Sequence, residues 1–189
     1  MPELPDAKKR RYVEELGLSA YNARELTAEV EGFRRFEELL GETARKLGKP
    51  ETEVATQVAN WSLSVAPGVL NAAGAETHAP AAAQAAILTM QDAGEISGGQ
   101  AKEIYEIVLK TGREPGEIAE TEGLKQQSDT GAIEAVIEQV LAANADKVAE
   151  YRGGKDKLFG FFVGQTMKAM AGKGNPAVVN QLLKAKLDG

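Results

Sequence analysis

The chain has 189 residues, 43% of them hydrophobic, and its 22 Lys and Arg against 28 Asp and Glu give a formal net charge of −6. This apolar content excludes a disordered chain and suffices for one larger domain or two small ones. The absence of cysteine excludes disulfides and thiolate chemistry, and a single histidine argues against a zinc site.

Targeting and membrane signals are also missing. The N-terminal segment MPELPDAKKRR lacks the apolar region of a signal peptide, and the longest aromatic-apolar run, LFGFFVG, is far shorter than the ~20 residues of a membrane span. The sequence therefore predicts a cytoplasmic protein without a membrane partner.

The first third of the chain has the period of amphipathic helices. One helix is predicted between Pro5 and Gly17, since proline favours a first turn and glycine follows an end. A second ends at Gly48, and a third begins at Pro50 and is kinked or ended by Pro67. Residues predicted to face the core are Val30, Phe33, Leu40, Ala44 and Leu47, then Val54, Val58, Trp61 and Val65.

The middle of the chain is predicted as a loop, 71–80, followed by an alanine-rich helix and a longer one. Ser97 and Gln100 have the spacing of a capping box at the start of the longer helix, and Gly112 follows its end. Its predicted buried face consists of Ile104, Ile107 and Val108. A short helix opens at Pro115.

The last third is predicted as four helices. Ser128 or Asp129 caps the first, whose core face is Ile133, Val136, Ile137, Val140 and Leu141. Asn144 is predicted to cap the next, the segment 157–172 forms the third, and Asn175 caps the fourth with Pro176 just inside it. No strand signal is found, so the fold class is all-α, with domains at 1–127 and 128–189 divided near the polar stretch EGLKQQSDT.

Catalytic signatures are weak throughout. His78 has no serine, cysteine or second histidine to act with, and the many Glu residues follow the spacing of solvated helix faces. The stretch GGKDKLFG has neither the glycine spacing nor the strand of a nucleotide phosphate loop.

Gly160 and Gly164 lie four apart, a spacing that lets another helix approach closely. Phe159, Phe162 and Val163 are predicted to pack a small core, with Phe161 pointing elsewhere.

Charge is distributed unevenly along the chain. Residues 1–143 carry 14 basic against 24 acidic side chains, whereas residues 144–189 carry 8 against 4. The lysines of the second part have two interpretations, ordinary solvated cations or a surface that contacts phosphates. Backbone N–H groups of residues 171–175 are predicted to add to such a surface.

Several segments together resemble the C-terminal portion of the GatB family and the YqeY-like proteins that share its tail fold. They are ELPDAKKRRYVEELGLSAYNARELT, ANW, GEISGGQAKEIYEIVLKTGREPGEI, GLKQQSD and YRGGKDKLFGFFVGQTMKAMAGKGNPAVVNQLL. The resemblance covers nearly the whole chain in the family's order, and the last segment is its most specific part. It implies a helical linker domain followed by a three- to four-helix YqeY-like tail, truncated from a longer protein.

The resemblance also implies a function. GatB belongs to the amidotransferase that converts Glu-tRNA(Gln) and Asp-tRNA(Asn) to Gln-tRNA(Gln) and Asn-tRNA(Asn), using ATP and Mg²⁺ in an N-terminal region that this chain lacks. The expected role is therefore non-catalytic tRNA binding by shape and phosphate contacts, with no catalytic residue, metal or cofactor here and with GatA and GatC as partner proteins.

The residues that match the family's closing motif divide into two groups. Candidates for tRNA contact are Lys155, Lys157, Gln165, Lys168, Lys173 and Asn175, and those predicted to set the shape are Gly154, Gly160, Gly164, Gly172 and Pro176. The alternative is a helical interaction module that docks partner proteins without touching tRNA. An independent enzyme ranks last, because nucleophile, metal and nucleotide signatures are all missing.

Overall fold

The structure, a computed structural model, describes residues 3–189. In that range it contains twelve α-helices, one π-helical segment at Trp61–Val65 and no β-strand, which confirms the all-α prediction. The α-helices are α1 Pro5–Glu14, α2 Ala20–Thr27, α3 Val30–Leu47, α4 Glu51–Asn60, α5 Ala66–Ala73, α6 Ala81–Asp92, α7 Gly98–Thr111, α8 Pro115–Thr121, α9 Thr130–Ala143, α10 Ala145–Arg152, α11 Leu158–Ala169 and α12 Pro176–Asp188.

The chain divides into two compact units, Met1–Leu124 and Lys125–Gly189, each with its own hydrophobic core. In the first unit α3 packs against α4 and α6. Phe36, Leu39 and Leu40 recur at helical spacing on its inner face and are almost completely buried. Gly48 ends α3 in the left-handed conformation that glycine adopts without a Cβ clash.

An ionic cluster fastens α1 to α3. The Glu37 carboxylate accepts hydrogen bonds from Lys8 Nζ and Arg11 Nη2, both at 2.6 Å, and from Tyr12 Oη at 3.0 Å. Burial raises the pKa of Glu37, but these three donors outweigh it and hold the pKa below its usual value. Lys8, although charged, is therefore buried with a partner.

The first unit departs from the sequence predictions near its start. Ser19 caps an unpredicted helix, α2, by accepting from the Asn22 N–H at 3.1 Å. Val30 is 53% exposed, contrary to its predicted place in the core, because it is the first residue of α3 and precedes the packed turns. Pro50 stands just before α4 as its N-cap rather than inside it.

Pro67 does not end the helical run. The π-helical turn Trp61–Val65 widens the backbone just before it, and Pro67 falls in the first turn of α5, where a missing N–H is tolerated. As a result α5 continues to Ala73, and the loop predicted from residue 71 starts at Gly74. Trp61 stays buried and donates its Nε1–H to Gln84 Oε1 at 2.8 Å.

The second unit consists of α9–α12 around a small core. Asp129, rather than Ser128, caps α9 by accepting from the N–H groups of Gly131 and Ala132. Asn175 caps α12 as predicted, with Pro176 in its first turn. The core residues, almost all at helical spacing, are Ile133, Ile137, Val140, Phe162, Met170, Val179, Leu183 and Leu187.

Asn144 does not cap α10, contrary to the prediction. It is the single residue between α9 and α10, and its Nδ2 donates to the Val140 carbonyl at 2.8 Å. Its side chain therefore satisfies the C-terminal end of α9 instead of the N-terminal end of α10.

The polar stretch before α9 is bound to the second unit. Gln127 and Gly174 form an isolated bridge, in which the Gln127 N–H donates to the Lys173 carbonyl at 2.6 Å and the Asn175 N–H to the Gln127 carbonyl at 3.0 Å. The compact units divide after Leu124, within that stretch, so Gln127 and its two bonds belong to the second unit. The assignment of domains to 1–127 and 128–189 stays a prediction.

Candidate nucleic-acid interface

The solvent side of α11 carries two glycines and two of the candidate lysines. At 3.6 residues per turn, Lys157, Gly160, Gly164 and Lys168 follow one stripe of the helix. All four are exposed, whereas Phe162 and Thr166 on the opposite side are fully buried. Lys157 and Lys168 are separated by about 16 Å of helix axis at ~1.5 Å per residue. We call these four residues, with Gln165 beside them, the α11 face.

The remaining candidate lysines lie outside that stripe. Lys155 is in the turn between α10 and α11, and Lys173 is in the turn between α11 and α12. The candidate cations therefore flank both ends of α11, with the α11 face between them.

Ion pairing separates these lysines into two groups. Lys155 Nζ contacts Glu150 at 2.8 Å, and this hydrogen bond lowers the pKa of Glu150. Lys186, on α12, pairs with Glu138 at 2.7 Å. Lys157, Lys168 and Lys173 are exposed and have no carboxylate within ion-pair distance in residues 3–189. Their charge is available to an anionic ligand, because no internal partner neutralises it.

Asn175 differs from the other candidates, since both its side-chain polar atoms are engaged within the second unit. Its Oδ1 accepts from the Ala177 N–H at 3.1 Å, and its Nδ2 donates to Ser128 Oγ at 3.3 Å. These contacts give Asn175 a structural role whether or not RNA reaches it.

The predicted shape-setting glycines have different surroundings. Gly154 and Gly172 have φ angles of +105° and +74°, so the turns on either side of α11 favour a residue without a Cβ. Gly160 and Gly164 have helical backbones, and a Cβ on either would meet nothing within 4 Å. Their spacing would permit another helix to approach closely, but the surroundings of both positions are open.

Gly174, which sequence reasoning missed, is the tightly packed glycine of the segment. A Cβ at this position would lie 2.8 Å from Met170 Sδ and 3.2 Å from Val179 Cγ2.

Most backbone N–H groups of the same segment donate hydrogen bonds within the chain. The N–H groups of Ala171, Gly172, Lys173 and Asn175 donate to carbonyls of residues 168, 167, 170 and 127, so the predicted phosphate contact through them is wrong for these four groups.

Lys147 and Phe161 were not among the sequence candidates. Lys147 Nζ lies 3.8 Å from the centroid of the Phe161 ring, which projects from α11 beside the α11 face. Spacing within one helix does not reveal this pair, because Lys147 belongs to α10.

His78 has a protein partner. Its Nδ1 lies 3.1 Å from Tyr105 Oη, and burial together with the nearby Arg35 lowers its pKa.

In residues 3–189 no three His, Asp or Glu side chains stand close enough to hold a metal ion. Nor does any described helix combine the length and apolarity needed to cross a bilayer.

Comparison with known proteins identifies the relatives of this chain. Residues 38–187 match the profile of a family described as the GatB domain. The B subunit of the aspartyl/glutamyl-tRNA(Asn/Gln) amidotransferase of Erythrobacter litoralis is 70% identical over 190 residues, 99% of this chain. The proteins of the same name from Novosphingobium aromaticivorans and Geobacter sulfurreducens are 59% and 46% identical over 99% and 100% of the chain. The chain spans 38% of the length of each of these relatives, in their C-terminal portion.

Proposed function

Because this chain belongs to the GatB domain family, we propose that it is a non-catalytic, tRNA-binding portion of the GatB component of an aspartyl/glutamyl-tRNA amidotransferase. Its role is to hold tRNA while Glu-tRNA(Gln) or Asp-tRNA(Asn) is amidated at an active site elsewhere in the complex. Recognition depends on shape and on phosphate contacts, which position an RNA without reading its sequence.

The three unpaired lysines around α11 carry this proposal. Lys157, Lys168 and Lys173 are exposed and lack carboxylate partners among the described residues, and Gly160 and Gly164 leave open space between the first two. Phosphates approach such a surface without displacing an existing ion pair or a bulky side chain. Lys155 contributes less, since RNA must first compete with Glu150 for its ammonium.

We place the chemistry, and the ATP and Mg²⁺ that it needs, outside this chain. The described residues contain no cluster of side chains fit to hold a metal ion and no glycine-rich loop between a strand and a helix. The residues present therefore do not fit the nucleotide and its metal. GatA and GatC are the partners that the proposal implies, in the cytoplasm.

A tRNA titration at two salt concentrations tests the proposal. We compare the parent chain with a Lys157→Ala/Lys168→Ala/Lys173→Ala variant and with a control, Lys46→Ala/Lys102→Ala/Lys184→Ala. The control loses the same charge at exposed lysines outside α11 and its flanking turns. The first variant should lose affinity, and its slope of log K against log salt should become shallower by about 2–3, since each phosphate contact contributes ~0.7–0.9. Equal binding by the two variants would contradict this interface.

A second candidate function, partner docking by the first unit, is favoured by a different observation. Leu4, Tyr21 and Val30 are 73%, 63% and 53% exposed, and all three lie in the first thirty residues. The first unit is also acidic, with 13 basic and 21 acidic side chains. A partner complex that is insensitive to the lysine substitutions, together with absence of tRNA binding by the parent chain, would favour this function.

A further inference from the structure

The ring of Phe161 has one face covered by a lysine side chain. Lys147 Nζ stands 3.8 Å from the ring centroid. At this separation the ammonium lies over the face, because the ring's own edge atoms keep a group in its plane farther away. In residues 3–189 no carboxylate lies within ion-pair distance of Lys147 Nζ. The group on this face is therefore a long, flexible cation without a salt-bridge partner.

The ring itself is held in place from the core side. Phe161 contacts Phe162 edge to face, with centroids 5.5 Å apart and an interplanar angle of 74°. Phe162 is fully buried and in turn contacts Tyr151 in the same manner at 6.5 Å. The core therefore restrains the Phe161 ring on one side, which reduces the entropy lost when a ligand stacks on it.

The surroundings of the ring suit a nucleotide. Phe161 follows Lys157 by four residues and precedes Lys168 by seven, so both cations are on neighbouring positions of the same helix surface. Gly164 is three residues from Phe161 and places no side chain beside it, and a Cβ there would meet nothing within 4 Å. Phe161 is partly buried against the core, and its exposed part lies beside the lysines and beside a position without a side chain.

We propose that Phe161 is a stacking surface for an unpaired nucleobase of an RNA loop, and that Lys147 moves from the ring to a phosphate when the base binds. This inference rests on the proposed function and specifies which part of the RNA the α11 face contacts. Stacking of a base on an aromatic side chain is stronger than an exposed cation–π contact, so the base displaces the ammonium. The displaced ammonium then adds one phosphate contact.

Two RNA hairpins with the same stem test the inference. One has a short adenosine loop, and the other has a loop of abasic sugars that keeps every phosphate. The parent chain should bind the adenosine hairpin about tenfold more tightly, as expected for one stacked base. Phe161→Leu should bind both hairpins equally, whereas Phe161→Tyr should keep the preference. Lys147→Ala should make the salt slope for the adenosine hairpin shallower by about 0.7–0.9 and leave the slope for the abasic hairpin unchanged, because only a stacked base displaces this lysine onto a phosphate.

The outcomes separate the inference from the proposed function. Lys157→Ala/Lys168→Ala should weaken both hairpins equally, because it removes phosphate contacts alone. Binding of both hairpins by the parent without a preference, or a preference that survives in Phe161→Leu, overturns the stacking role while RNA binding stands. Failure of the parent to bind either hairpin overturns the stacking role, and the tRNA titration decides the proposed function separately.

A fluorescence measurement on a different variant tests the stacking role even if Phe161→Leu misfolds. Trp61 is the chain's single tryptophan, so Phe161→Trp in a Trp61→Phe background places the only indole at the proposed stacking position. Its emission should be quenched by the adenosine hairpin and much less by the abasic one. Equal emission changes with the two hairpins would count against stacking.

Discussion

Gly174 is buried in the turn between α11 and α12, whereas Gly160 and Gly164 are exposed on α11. All three lie in one glycine-rich segment of the sequence, from which Gly160 and Gly164 were predicted to set the shape and Gly174 was not singled out. The structure separates them by their neighbours, since a Cβ meets Met170 and Val179 at the first position and nothing at the other two. At the scale of single residues, packing decides what each glycine does.

Replacing Gly174 by alanine should destabilise the second unit. The added methyl group would overpack the contact with Met170 and Val179, a change that costs about 1–3 kcal/mol. Hydrogen exchange of the α11 and α12 amides measures the loss as faster exchange. Gly160→Ala is the matched control, because it adds the same group where space is free. Unchanged protection in Gly174→Ala would contradict the packing described.

His78 should titrate below the usual histidine range. Burial is the main cause of its lowered pKa and Arg35 adds to it, so the folded chain resists protonation more than the unfolded chain does. The unfolding free energy should therefore fall as pH drops from about 7 through the folded-state pKa. Since the chain has one histidine, its imidazole NMR signals report this pKa directly.

Two substitutions check the assignment. Arg35→Ala should move the His78 midpoint upward, towards 6.5. His78→Gln should flatten the decline in melting temperature as the pH falls below about 7. A midpoint at or above 6.5 in the parent chain would show that the imidazole is more solvated than its contacts indicate.

At the scale of elements, α11 combines a buried aromatic side with an exposed side on which two glycines occupy interior helical positions. Glycine weakens a helix interior relative to alanine, and here no packing contact requires it. Gly160 and Gly164 therefore do not stabilise α11. Their missing side chains leave room for a ligand on the exposed side of the helix.

Gly160→Ala and Gly164→Ala should stabilise α11 and weaken RNA binding. Each substitution should raise the unfolding free energy by about 0.5–1 kcal/mol, because alanine loses less backbone entropy and meets no neighbour. Thermal melting and tRNA titration of the double variant measure both effects. A variant that gains stability and keeps full tRNA affinity would show that RNA does not approach this side of α11.

Local signals in the sequence predicted most elements correctly. The Ser97–Gln100 capping box, the Asp129 cap and the Asn175–Pro176 start of α12 depend on a few adjacent residues, and the structure confirms each. Features that depend on partners elsewhere were missed. Examples are the π-helical turn before Pro67, the exposure of Val30 and the Lys147–Phe161 contact. The sequence supplied the candidate lysines, which stay a prediction, but it did not show which of them form ion pairs.

At the scale of the whole molecule, charge follows the division into compact units. The first unit carries 13 basic and 21 acidic side chains, and the second carries 9 and 7. Each unit also has a separate hydrophobic core. An RNA ligand should therefore be attracted by the second unit and repelled by the first.

Separate expression of the two units tests this division. Residues 125–189 should bind tRNA with a salt slope close to that of the whole chain, and residues 3–124 should not bind at the same salt concentration. Circular dichroism of each fragment shows whether it retains its helices. Binding by residues 3–124 with a comparable slope would place phosphate contacts on the acidic unit and contradict the proposal.

The core of the second unit has a consequence for how the chain is synthesised. Ile133 and Ile137 on α9 are fully buried, yet the side chains that cover them include Val179 and Leu183 from α12. Ribosomal synthesis delivers α9, α10 and α11 first, so the parts of their apolar sides that pack against α12 remain uncovered until α12 emerges. We expect nascent chains that stall before α12 to expose these sides to chaperones and to aggregate more readily than completed chains.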